Sequence, residues 1–197
     1  LMNYKPIIIV SGEPNSVFYE IYFKTLKKNN YKSPLIIIGS HRILLLQMKK
    51  LGFSMKIRLL NFDKIINYKL DNKSINLINV KYYQNRAFEK SSKKSNHYIN
   101  NCFKIAIKLL NEGFTKKFIN GPINKKNFLD KKYLGITEYL EDNFASKNTA
   151  MLIYNKNLSV CPVTTHLPLK IVPSLINKKL IHDKVKLINT FYKKNFS

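Results

Sequence analysis

A chain of 197 residues, 45% of them apolar, has the length of one large domain or two small lobes and the composition of an ordinary globular core, which excludes disorder as a whole-chain reading. Its apolar runs, such as Leu35 to Ile38 and Ile43 to Leu46, fall far short of the roughly 18–20 residues that cross a bilayer, so no membrane partner is expected. The net charge of +24 invites a nucleic-acid reading, but only Arg42, Arg58 and Arg86 are arginines, and the lysines are spread along the chain among Asn and Ile; nucleic acid is disfavoured as a partner.

Pro6 to Val10 is too short for a secretory apolar region, so a cytoplasmic protein is expected. The same run reads as a buried strand ending in the turn Ser11-Gly12-Glu13-Pro14. Ser16 is placed to cap a following helix, with Val17, Ile21 and Phe23 to Leu26 as its inner face. Leu35 to Gly39 predicts a second buried strand, and His41 to Leu51 a second helix closed by Gly52. Strand, helix, strand, helix points to an α/β fold with a mostly parallel sheet and helices on both faces.

Met55 to Leu60 and Ile75 to Val80 read as further strands separated by a polar segment, and Tyr83 to Asn96 as an exposed loop. From His97 to Glu112 the spacing of Cys102, Ile105, Ala106 and Leu109 predicts a long helix with one buried stripe. Phe118-Ile119 is a short strand, Thr137 to Phe144 a short helix, Thr149 to Tyr154 and Leu158 to Val163 a strand pair, and Ile181 to Lys194 a final helix. We expect a first lobe over residues 1–130 and the start of a second over 131–197. Cys102 and Cys161 have no CxxC spacing and read as reduced, buried thiols.

Three polar landmarks stand out. Gly121-Pro122 after a strand, with Lys125 close by, suits an anion-binding turn with free backbone N–H groups, although a Gly-Pro turn is more often only a turn. Gly135-Ile136-Thr137-Glu138 is the second. Thr164-Thr165-His166-Leu167-Pro168-Leu169 is the third, and it places a histidine just past an apolar run, where it can serve as metal ligand, acid/base or structural residue. His41, His97 and His182 have no comparable setting.

In this order and spacing, Gly121-Pro122-Ile123-Asn124-Lys125, Gly135-Ile136-Thr137-Glu138-Tyr139-Leu140 and Thr164-Thr165-His166-Leu167-Pro168-Leu169 resemble the 4-hydroxythreonine-4-phosphate dehydrogenases of vitamin B6 biosynthesis. Ile7 to Pro14 with Glu20-Ile21 looks like that family's amino-terminal Gly-Asp-Pro segment, with Glu13 in place of the aspartate. The resemblance covers nearly the whole chain and roughly the first three-fifths of a family member. It implies an isocitrate/isopropylmalate dehydrogenase-like fold, incomplete at the C-terminus, in a homodimer whose site is built between subunits. It also implies NAD and a divalent metal (zinc, magnesium or cobalt) as cofactors, and a phosphorylated hydroxy amino acid, 4-phosphohydroxy-L-threonine, as substrate.

By the same resemblance His166 is one of three metal histidines, the other two and most of the NAD pocket lying beyond Ser197. Ile136-Thr137 stands where the family has a substrate-binding His-Thr, and the side chain of Ile136 has no hydrogen-bonding atom. One histidine holds a metal poorly, so this portion of the enzyme is expected to be inactive alone. Two other readings compete: a basic, non-enzymatic protein that binds nucleic acid or another polyanion, and a degenerate family member.

Overall fold

The computed structural model describes residues 4–90, 92–124, 128, 133, 135–144 and 149–196. They fall into two compact units, Leu1–Asp130 and Lys131–Ser197.

The first unit is built on five parallel strands in the order β3-β4-β2-β1-β5, with β1 Ile7–Val10, β2 Leu35–Gly39, β3 Ile57–Leu60, β4 Ile75–Asn79 and β5 Phe118–Asn120. Ile8 pairs with Ile36 on one side and Phe118 on the other, which puts β1 inside the sheet although it comes first in the chain. Nearly continuous β-branched runs form β1 and β2, the strands covered on both faces. Ile9, Leu35, Ile37, Ile75 and Leu77 pack against helices α1 (Phe18–Lys28) and α2 (His41–Lys50) through Tyr19, Tyr22, Phe23, Ile43, Leu44 and Met48. The alternate residues Ile8, Val10, Ile36, Ile38 and Ile78 are equally buried, and α3 (Ser95–Asn111) packs on β1 and β2 with Tyr98, Ile99, Cys102, Phe103, Ala106 and Leu109 inward.

Two expectations are corrected in this unit, the inner face of α1 and the loop Tyr83 to Asn96. In α1 the inward face carries Tyr19, Tyr22 and Phe23, whereas Val17 and Ile21 are each 57% exposed. Two tyrosines bury their rings in place of the aliphatic stripe, and Phe18–Tyr22 and Tyr19–Phe23 stack along the helix. The stretch between β3 and β4 is partly ordered as a 3-10 helix, Phe62–Asn67, capped by Asn61 and pinned by the buried Ile65. Tyr83 to Asn96 is not simply an exposed loop: Gln84 and Ser95 are buried, and α3 begins inside it. The Gln84 amide nitrogen donates to the carbonyl of Arg86 at 2.6 Å, and Arg42 Nε donates to the Gln84 carbonyl at 2.6 Å, so polar side chains tie down a backbone that hydropathy reads as free.

The second unit contains helices α4 (Ile136–Asn143), α5 (Val172–Leu175) and α6 (Lys178–Asn195), with a 3-10 turn at Leu169–Ile171. Asn177 caps α6 by accepting from the Leu180 N–H at 2.9 Å. The expected strand pair Thr149–Tyr154 and Leu158–Val163 reduces to one antiparallel bridge, Ile153 to Val160, with hydrogen bonds of 2.8 and 2.9 Å. Leu158 is 72% and Val160 51% exposed, so this run is not a buried strand. Its turn is sound, since the Asn157 N–H donates to Asn155 Oδ1 at 2.9 Å, but among the described residues the bridge has no further strand to extend it. Cys102 is buried as expected, while Cys161 is only half-buried. Among the described residues no helix is long and apolar enough to cross a membrane.

Candidate functional site

In the first unit the loops that leave β1 and β5 are stitched together at the C-terminal edge of the sheet, the edge at which open α/β sheets bind ligands. The Gly121 N–H donates to the Val10 carbonyl and the Glu13 N–H to the Pro122 carbonyl, both at 2.7 Å. Gly12 has φ +72°, and a Cβ there would lie 2.2 Å from the Pro122 oxygen; a Cβ on Gly121 would lie 2.3 Å from the Ser11 oxygen. Both positions therefore require glycine. The N–H of Gly121 is engaged within the fold, and Lys125, its expected cationic companion, lies outside the described residues.

Beneath these loops is a buried polar network that the sequence did not reveal. Tyr98 OH lies 2.9 Å from Ser11 Oγ and accepts from the Ser40 N–H at 3.0 Å, while Ser95 Oγ lies 2.9 Å from Glu13 Oε2. Burial pushes the Tyr98 hydroxyl well above the usual phenol range and the Cys102 thiol up to about 12, so both stay protonated at neutral pH. Their partners come from distant parts of the chain, and no local pattern announces them. A cavity of about 740 Å³ is lined by Leu26, Tyr31, Met55, Asn72 and Ile75. It opens at the N-terminal edge of the sheet, opposite the loops just described, and holds none of the expected site residues.

In the second unit Thr164-Thr165-His166 leads into Pro168 and the 3-10 turn Leu169–Ile171, which closes with the Ile171 N–H donating to the Pro168 carbonyl at 3.0 Å. His166 has φ 55° and is the one non-glycine residue with positive φ among those described. A β-carbon in this left-handed region is disfavoured, so such a residue persists where its surroundings determine it. Ile136 and Thr137 are the first two residues of α4, both half-buried, and Gly135 is its N-cap. Glu138, in the first turn of α4, is favourably placed against the helix dipole. A point where a Cβ of Gly135 would stand is 2.9 Å from Glu138 Oε2 and 3.3 Å from His166 Nε2. Glu138 is thus the residue that sequence reasoning quoted but passed over; its place three residues after a glycine N-cap was the available signal.

One imidazole and one carboxylate are donors of the right kind for a divalent cation. Among the described residues no group of three or more His, Cys, Asp or Glu forms a complete shell, so His166 fits as one ligand of a shell and Glu138 stands beside it. His97 and His182 are exposed, and His41 is half-buried at the start of α2.

Residues 30–197 match the family described as pyridoxal phosphate biosynthetic protein PdxA. The chain belongs to the PdxA family. A PdxA relative from Sulfurihydrogenibium, named 4-hydroxythreonine-4-phosphate dehydrogenase, is 33% identical over 96% of this chain and 58% of its own length. Another of that name from Aquifex aeolicus is 30% identical over 98% of this chain and 59% of its own. A Salmonella typhi relative with the provisional name D-threonate 4-phosphate dehydrogenase is 25% identical over 98% and 60%. The crystal structure of 4-hydroxythreonine-4-phosphate dehydrogenase from Klebsiella pneumoniae superposes with a TM-score of 0.81 at 21% identity, over 96% of this chain and 59% of that one. The fold is therefore that of the PdxA dehydrogenases, and the chain spans less than two-thirds of the length of these relatives.

Proposed function

We propose that this chain carries part of the site with which a PdxA-type dehydrogenase oxidises 4-phosphohydroxy-L-threonine in pyridoxal phosphate biosynthesis, as a homodimer in the cytoplasm. The observation that carries the reading is His166, held in the left-handed region within Thr-Thr-His-Leu-Pro-Leu. Bound metal and NAD supply Lewis acidity toward the substrate hydroxyl and a hydride acceptor. His166 offers a ring nitrogen to the cation, the Thr137 hydroxyl hydrogen-bonds the substrate, and the charge of Lys125 helps to steer the phosphate.

The test is NADH formation with 4-phosphohydroxy-L-threonine and added zinc, magnesium or cobalt. The 197-residue chain alone is expected to be silent. A chimera that joins it to the remaining C-terminal part of the Sulfurihydrogenibium relative is expected to turn over and to lose activity by at least about 100-fold on His166→Ala. A chimera indifferent to that substitution overturns the role of His166.

A second substrate is favoured by one observation, the aliphatic side chain of Ile136 at the start of α4. We infer a preference displaced toward a related phosphorylated hydroxy acid such as D-threonate 4-phosphate. Ile136→His in the chimera should shift the ratio of kcat/KM values toward 4-phosphohydroxy-L-threonine, and an unchanged ratio removes Ile136 from substrate selection.

A further inference from the structure

We propose that Glu138 is the residue that positions His166. One carboxylate oxygen takes the ring N–H of His166, the other takes the Thr165 hydroxyl, and the imidazole is held in one tautomer with its second nitrogen left for a cation.

Three observations converge on this. Glu138 Oε2 and the Nε2 edge of His166 face the same point, vacated by the missing side chain of Gly135. Glu138 Oε2 is buried without a hydrogen-bond partner among the described residues, while Oε1 is 3.5 Å from Thr165 Oγ1. A buried carboxylate oxygen left unmatched is costly, and the facing imidazole N–H is the donor at hand. The backbone of His166 is in the left-handed region, a conformation that persists where the surroundings hold the residue in place. A carboxylate behind a ligand histidine selects its tautomer and raises its basicity.

That the free nitrogen serves a metal rests on the function proposed above; the contact itself does not. The test is therefore made on the metal-free 197-residue chain, labelled with 15N, by imidazole 1H–15N correlation spectra, with His166→Ala identifying the resonance. With the spectra taken at about pH 9, where free imidazoles are neutral, His166 is expected in a single tautomer, whereas the ring of His97 averages between two. Glu138→Ala should release His166 into that average while the thermal transition shows a folded chain, and cobalt titration read on the same resonance should weaken about 10- to 100-fold. Glu138→Gln keeps the volume and an accepting oxygen, so it should restore most of the single-tautomer signal; it also serves if the alanine variant does not fold.

A wild-type ring that already averages overturns the proposal, as does a folded Glu138→Ala chain with an unchanged His166 spectrum. Loss of turnover in the chimera beside a locked ring would remove the proposed function and leave this contact standing.

Discussion

At the scale of single residues, the two loop glycines and His166 show how the C-terminal edge of the sheet and the third landmark are specified. Gly121 is held against the Ser11 backbone so closely that a methyl group has no space, and the obstacle is main chain, which cannot swing aside. Gly121→Ala should therefore destabilise the first unit by about 2–4 kcal/mol, seen as a lower midpoint in urea unfolding. A loss below about 0.5 kcal/mol would mean that the two loops are not packed as described. The landmark Gly121-Pro122 was legible as a turn, but the reason for its glycine was not, because the neighbour that demands it is Ser11, distant in sequence at the end of the adjacent strand. His166 was legible only through the six-residue motif around it. Its approach to Glu138 was not, since nothing in the spacing of the two shows that α4 begins where that loop passes.

At the scale of elements, α3 links the core to the loops above the sheet. Tyr98 on α3 ties β1 to the start of α2 through Ser11 and the Ser40 N–H. Tyr98→Phe leaves that buried N–H without its acceptor and should cost about 1–3 kcal/mol, measured by the same unfolding transition. Cys102, one turn further along α3, has its thiol held protonated by burial, pushed up to about 12 from 9.0. A raised pKa in the folded state means that the contribution to stability is whole below pH 9 and is lost as pH rises toward 12. Thermal midpoints should stay flat up to about pH 9 on this account and fall beyond it, and Cys102→Ala should reduce the steepness of that fall. β1, β2 and α3 were readable because each follows a simple pattern over a covered surface. The face of α1 was not, because Tyr19 and Tyr22 carry polar atoms yet bury nearly the whole side chain. The run Leu158 to Val163 misled for the opposite reason: apolar residues there have no sheet to join among the described residues.

At the scale of the whole molecule, charge and lineage give separate answers. With a net charge of +24 and three arginines, the chain should adhere to DNA weakly and without sequence preference. Retention on duplex DNA is expected at about 50 mM salt and should be lost by about 150–200 mM; binding that survives physiological salt would favour the polyanion-binding alternative. Family membership was legible from three short motifs because each combines residue types that packing alone does not require. Composition, by contrast, pointed toward nucleic acid and had to be discounted.

The position of β1 inside the sheet carries a consequence for how the chain is made. β1 is made before the other four strands of this sheet, yet its pairing partner on one side is β5, so the edge of Ile8 that will meet Phe118 stays open while the intervening chain is produced. At ribosomal rates of about 5–20 residues per second, that interval lasts roughly 5–20 seconds. During it, an unbroken β-branched segment presents an unpaired edge, the feature most prone to self-association. The yield of folded protein should therefore depend on how quickly the ribosome reaches Phe118–Asn120, and slowing codons placed between α3 and β5 would increase aggregation without changing a single residue.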